Sequence, residues 1–155
     1  MQIMPSTADH LGLSRESLFN PAENIAASAK YMQELGQHFA DVPLSERVWF
    51  QLASYNGGTN HVRDAMALAR KYGRNPRRWD DVSEFVQRLS SPQFYTDPVV
   101  RSGYMRGAET VDYVNRIRAR WAQYRGVAGG GSFGGSFGGF VTTPQRARRS
   151  YKWHL

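Results

Sequence analysis

Apolar side chains recur at three- and four-residue steps through most of the first 127 residues, the spacing that gathers them on one side of an α-helix. Ile25, Ala29, Met32, Leu35 and Phe39 predict one amphipathic helix over about 21–39. Asn20, Pro21 and Glu23 mark its start: a capping side chain, a proline in the first turn and a carboxylate at the third position. Val48, Leu52 and Tyr55 predict a second helix, opened by Ser45 and Glu46 and stopped by Gly57 and Gly58. Val62, Ala65 and Ala69 predict a third, capped by Thr59 or Asn60 and running to Gly73. Asp80 or Asp81 precedes Val82, Phe85, Val86 and Leu89, and a last helix carries Val114, Ile117, Trp121 and Tyr124 up to Gly126. No alternating segment of strand length competes, so the pattern predicts an all-α body. Trp49, Trp79 and Trp121 sit within or at the start of these apolar patterns and are expected in the core.

The periodicity stops at Val127, where AGGGSFGGSFGGF repeats a Gly-Gly-Ser-Phe unit. Two regions are therefore expected: a helical body over 1–127 and a flexible tail over 128–155, Gly-rich and then basic. The tail's Phe133, Phe137, Phe140, Tyr151 and Trp153 read as a solvated extension or as a strand that sticks to nucleic acid or wall polymer. A chain of 155 residues suits one domain, and 41% hydrophobic residues are enough to bury a core. Twenty basic and thirteen acidic side chains give a net charge of +7. Arg146, Arg148, Arg149 and Lys152 supply four of these positive charges in a tail that has no acid, so the body is only mildly basic. That balance favours an anionic partner without choosing among nucleic acid, acidic lipid and wall polymer. No apolar run approaches the roughly 20 residues of a membrane span, and neither a span nor an export signal is expected in this chain.

The absence of cysteine excludes disulfides, thiolate metal sites and cysteine nucleophiles. His10, His38, His61 and His154 are scattered without metal-ligand spacing, so no metal and no cofactor is expected. There is no Gly-x-Ser-x-Gly and no strand-to-helix glycine loop, which argues against serine hydrolysis and nucleotide chemistry. What stands out is polar and aromatic residues clustered at helix ends, where side chains can line a groove. The clusters are Met1-Gln2-Ile3-Met4-Pro5-Ser6-Thr7-Ala8, Ala53-Ser54-Tyr55-Asn56-Gly57-Gly58 and Gly107-Ala108-Glu109-Thr110-Val111-Asp112-Tyr113-Val114. Each also has a purely structural reading. Gln2 and Met4 suit a helix start, Tyr55 and Tyr113 suit the core, and Asn56 suits a helix C-terminus before glycine.

Together the three clusters resemble the lytic transglycosylase family, the soluble-lytic-transglycosylase (SLT) domain with the goose-type, lysozyme-like fold. MQIMPSTA matches that family's signature. SYNGG resembles its A-Y-N-A-G motif with Ser54 and Gly57 in place of the two alanines, and GAETVDYV resembles its G-x-E-T-x-x-Y-V motif. LFNPAENIAASAKYM and ERVWFQLASYN add support, and the resemblance covers residues 1 to about 125. It implies a peptidoglycan glycan strand as substrate and a periplasmic or cell-envelope setting, with other wall proteins or an N-terminal domain as possible partners. It also implies a groove lined by Gln2, Met4, Tyr55, Asn56, Glu109 and Tyr113. In the family one glutamate protonates the glycosidic oxygen between N-acetylmuramic acid and N-acetylglucosamine, then takes the proton of the muramoyl C6 hydroxyl as a 1,6-anhydro ring closes.

That glutamate lies on a helix before the M-Q-I-M-P signature, in an E-S-x-F/W-x-P context, whereas this sequence opens on the signature itself. The expectation is a lytic transglycosylase domain lacking its first helix and its acid, inactive as given. Of the glutamates at 16, 23, 34, 46, 84 and 109, only Glu109 falls in a family motif, at a substrate-contacting or structural position. Two other functions compete: a catalytically dead wall-binding module, and a basic helical nucleic-acid binder led by its tail. The second lacks a positive recognition-helix face, and nucleic acid is not the expected partner.

Overall fold

The computed structural model describes residues 5–12, 14 and 20–128. Within them lie α1 (Pro5–His10), α2 (Pro21–Gln37), α3 (Leu44–Gly57), α4 (Thr59–Lys71), α5 (Trp79–Arg88), α6 (Pro92–Tyr95) and α7 (Gly107–Ala128), with no strand among the described residues. The all-α, lysozyme-like architecture expected from the sequence is the one observed. Gln2 and Met4, and residues 129–155 of the expected tail, lie outside the described residues.

Asn20 caps α2 as its sequence requires: Oδ1 accepts from the Ala22 N–H at 3.1 Å while Nδ2 donates to Glu23 Oε1 at 2.9 Å. α3 is the central helix, packed against α2, α4, α5 and α7. Its Phe50 ring lies 5.6 Å from both Phe39 and Trp79, which joins three segments of chain in one aromatic column. Val62, Ala65 and Ala69 of α4, together with Val82, Phe85, Val86 and Leu89, are buried as their spacing predicts. α4 begins at Thr59 itself and α5 at Trp79, which puts Asp80 and Asp81 inside the first turn of α5, near its positive end, rather than ahead of it.

Three faces differ from the expected ones. On α2, Ile25 is exposed and the buried positions are Ala27, Ser28, Leu35 and Gly36. Ala27 of α2 packs with Ala8 of α1, and α2 joins the main core farther along, through Met32. On α3, Val48 is partly exposed while Trp49, Phe50, Leu52, Ala53 and Ser54 are buried, because neighbours on several sides leave a wide buried face. On α7, Val114 is fully buried but Trp121 is 54% exposed, contrary to the core role expected of it. Trp121 instead edges an open groove with Leu44 and Val48, while Trp49 and Trp79 do lie in the core.

The start of α7 is fixed by an unusually close helix crossing. A Cβ on Gly107 would lie 1.7 Å from the Val86 carbonyl oxygen, so only glycine lets α7 sit this close to the end of α5. This contact sets where Glu109, Thr110 and Tyr113 stand relative to α3.

Candidate functional site

α3 ends where its chain runs into Gly57 and Gly58, and α7 starts against the same spot. Thr110, 2% exposed, donates its hydroxyl proton to Asn56 Oδ1 at 2.8 Å and so ties the two helix ends together. With Oδ1 occupied, the exposed Asn56 turns its Nδ2 outward as a donor, and no described group accepts from it. Behind this pair the packing is tight. A Cβ on Gly57 would lie 2.1 Å from Met105 Cε and 2.7 Å from Thr110 Oγ1, so the alanine of the resembling motif would require both side chains to give way here.

Asn56 and Glu109 line one hollow of about 290 Å³, with His61, Tyr104, Arg106 and Thr110 among its other walls. Glu109 is open to solvent, its side chain 71% exposed, and Arg106 Nη1 stands 3.6 Å from its Oε1. A carboxylate so placed suits binding of a polar ligand. A general acid calls instead for a dry, apolar setting.

Tyr55 and Tyr113 are neighbours and do not line that hollow. They form a second wall with Tyr31 of α2, whose ring centroid is 6.0 Å from that of Tyr55 in an edge-to-face arrangement. Burial pushes the Tyr55 phenol above the ordinary tyrosine range, with smaller contributions from Tyr113 and Tyr31, and burial does the same to Tyr113. Both hydroxyls are therefore protonated donors throughout the physiological range. Tyr113 is half-buried against the core, so its structural reading and its groove-facing one coexist in a single ring. Tyr31 also edges a further hollow of about 340 Å³ that reaches Thr7 of the opening cluster.

The structure thus brings Asn56 and Glu109 together, and sets Tyr55 and Tyr113 beside them as a separate aromatic wall. The placement of Gln2 and Met4 lies outside the described residues. His61, Tyr104 and Arg106 escape the sequence reading because no motif marks them, and Tyr31, inside the supporting stretch LFNPAENIAASAKYM, is not singled out by it. Only the apolar context of Tyr31 in Ala-Lys-Tyr-Met and the position of His61 two residues into α4 hint at them. No group of three or more His, Asp or Glu side chains among the described residues is arranged to hold a metal ion. Glu16 to Pro21 reads Glu-Ser-Leu-Phe-Asn-Pro, the letters of the family's acid context, but it follows the opening signature instead of preceding it. Its last two residues are accounted for by the cap and first turn of α2, and Glu16 lies outside the described residues.

Comparison with known proteins agrees with this arrangement of motifs. The Transglycosylase SLT domain family matches residues 1–77. The membrane-bound lytic murein transglycosylase F of Pseudomonas fluorescens is 40% identical over 119 residues, 76% of this chain and 24% of that protein. The proteins of the same name from Aeromonas salmonicida and Marinobacter nauticus are 38% and 39% identical over 119 residues, 76% of this chain and 23% of each protein. The chain therefore spans about a quarter of the length of the curated relatives it matches. The stretch they share contains the SYNGG and GAETVDYV helix ends that meet at Asn56 and Thr110, and the chain belongs to the lytic transglycosylase (SLT domain) family.

Proposed function

We propose that this chain forms the saccharide-binding body of a peptidoglycan lytic transglycosylase, one that cleaves the β-1,4 bond between N-acetylmuramic acid and N-acetylglucosamine and leaves a 1,6-anhydromuramoyl end. The observation that carries the reading is the shared hollow of Asn56 and Glu109, two motif residues far apart in sequence and held in register by the Thr110 hydroxyl. A glycan strand offers acetamido carbonyls and hydroxyls at regular intervals. The outward Nδ2 of Asn56 donates to an acetamido carbonyl, and Glu109 accepts from hydroxyls. Tyr55 supplies an apolar face for a sugar ring, and Gln2 and Met4 extend the groove wall.

The chemistry needs one carboxyl group with a raised pKa, acting first as acid and then as base; no second carboxylate is required because the substrate brings its own nucleophile. Three of the described carboxylates are already engaged or open to solvent. Asp64 has both oxygens taken by the Arg101 and Ser102 N–H groups, Asp97 is paired with Lys71, and Glu109 is solvated beside Arg106. On this reading the acid precedes the MQIMP signature, as it does in the family, and the protonated Tyr113 hydroxyl orients it. The 155-residue chain then binds murein without cleaving it. The setting is the periplasm or cell envelope, with the glycan strand as partner and other wall proteins or an N-terminal domain completing the enzyme. No described helix is long and apolar enough to cross a membrane.

Cosedimentation with purified murein tests the reading. The chain is expected to pellet with murein, and Asn56→Ala and Glu109→Gln are expected to weaken binding without lowering the melting temperature. Unchanged binding with a lowered melting temperature would assign Asn56 to the fold alone.

A further inference from the structure

A larger cavity, separate from the hollow at Asn56 and Glu109, is not used by the reading above. Both lie in the crevice between the first turns of α4 and the chain from Pro98 to Arg106. The larger one, about 730 Å³, is walled by Asn60, Arg63 and Asp64 on one side and by Val99, Arg101 and Ser102 on the other. Asp64 is 5% exposed, and its two oxygens accept the Arg101 N–H at 3.1 Å and the Ser102 N–H at 2.7 Å. That carboxylate is spent on holding the loop, and the loop in turn fixes Arg101 at the rim.

Two guanidinium groups remain. Arg63 and Arg101 are exposed, and neither pairs with a carboxylate among the described residues; Arg63 only approaches His38 Nδ1, at 3.4 Å. A cavity lined by two guanidinium groups without a carboxylate partner, and with its one acid already satisfied, has the charge and the donors for a carboxylate. The start of α4, which has no side-chain cap, adds partial charge of the same sign.

We propose that Arg63 and Arg101 form a carboxylate subsite that receives the free carboxylates of the murein peptide stem while the glycan lies at Asn56 and Glu109. The inference rests on the saccharide-binding reading for its choice of ligand. Its physical content, a carboxylate site at these two arginines, stands apart from that reading. Asn60 donates to the same group from its side-chain amide, and Ser102 offers a hydroxyl.

Calorimetric titration of the full 155-residue chain separates the two ideas, using three probes. They are a synthetic stem tetrapeptide with free carboxylates, the same peptide with every carboxylate amidated, and an N-acetylglucosamine oligomer that carries no carboxylate. The free-acid peptide is expected to bind at least about tenfold more tightly than its amide. Arg63→Gln and Arg101→Gln are each expected to weaken it about tenfold, with no change in affinity for the oligomer. Arg101→Gln keeps the backbone N–H that Asp64 accepts, and Arg63→Gln leaves the loop untouched, so either variant reads the site in a folded protein. Equal affinity for peptide and amide, or a free-acid affinity unmoved by both substitutions, would overturn the subsite. An oligomer that fails to bind while the peptide binds through both arginines would uphold the subsite and sink the saccharide reading.

Discussion

The Thr110 hydroxyl donates to Asn56 Oδ1 at 2.8 Å, so the last turn of α3 and the first turn of α7 share one hydrogen bond at the floor of the candidate groove. It decides which end of the Asn56 amide faces outward. Replacing Thr110 by Val keeps the shape and removes the proton. Thr110→Val is expected to cost about 1 kcal/mol of stability and to weaken murein binding several-fold by letting the amide turn. Combined with Asn56→Ala it should add little further loss of binding, since both changes act through one group. Fully additive losses, read in a double-mutant cycle of binding, would show that the two residues act separately.

Gly57 is one of the two points, with Ser54, at which this chain departs from the A-Y-N-A-G pattern, and Met105 occupies the space an alanine methyl would need. Gly57→Ala is expected to destabilise by about 1–3 kcal/mol through overpacking, and Met105→Ala in the same chain to recover part of that loss. Denaturant midpoints of the single and double variants measure it.

Gly107 allows no such compensation, because the atom a Cβ would strike is the backbone oxygen of Val86. Gly107→Ala is expected to cost more than Gly57→Ala, about 3 kcal/mol or beyond, by prising α7 away from α5. A melting temperature close to that of the parent chain would contradict so close a crossing.

The Asp97 carboxyl is held below its ordinary range, first by the hydrogen bond from Lys71 Nζ and next by the Val99 N–H. A carboxyl depressed on folding stabilises the fold above its unfolded value of about 4, and that contribution is lost as the pH falls through the lower folded value. Asp97→Asn is therefore expected to lower the melting temperature at neutral pH and to change it little in strong acid. Asp80, lowered chiefly by its hydrogen bond from Arg118, follows the same sign. A deficit of constant size across the acid range would contradict this.

The helices were legible wherever one face carries the whole pattern. Val82, Phe85, Val86 and Leu89 give α5 unambiguously, and Asn20 with Pro21 gives the start of α2. The pattern misleads where a helix changes partner along its length. Ile25 and Trp121 sit at helical spacing from buried residues, yet the first lies before the main core begins and the second after it has ended. Pro92–Tyr95 is too short to show a period and escapes notice. Asn56 and Glu109 were legible as motif residues. That they share a hollow was not, because the packing of Gly107 on Val86 that brings α7 to α3 leaves no periodic trace. Arg63 and Arg101 belong to no motif, and their convergence is visible only in three dimensions.

Under the proposed function, this chain holds the glycan strand and the acid lies on a segment preceding the MQIMP signature. The most direct test is release of 1,6-anhydromuropeptides from purified murein, comparing two proteins. One is the 155-residue chain; the other is a chimera carrying, ahead of Met1, the segment that precedes the matched region in the Pseudomonas fluorescens relative. Loss of the acid removes about 10²- to 10⁴-fold in leaving-group protonation, and the base of the second step with it. The account predicts anhydro product from the chimera and none from the chain alone. Anhydro product from the 155-residue chain, abolished by Glu109→Gln or Glu16→Gln, would contradict it and identify the acid within this sequence.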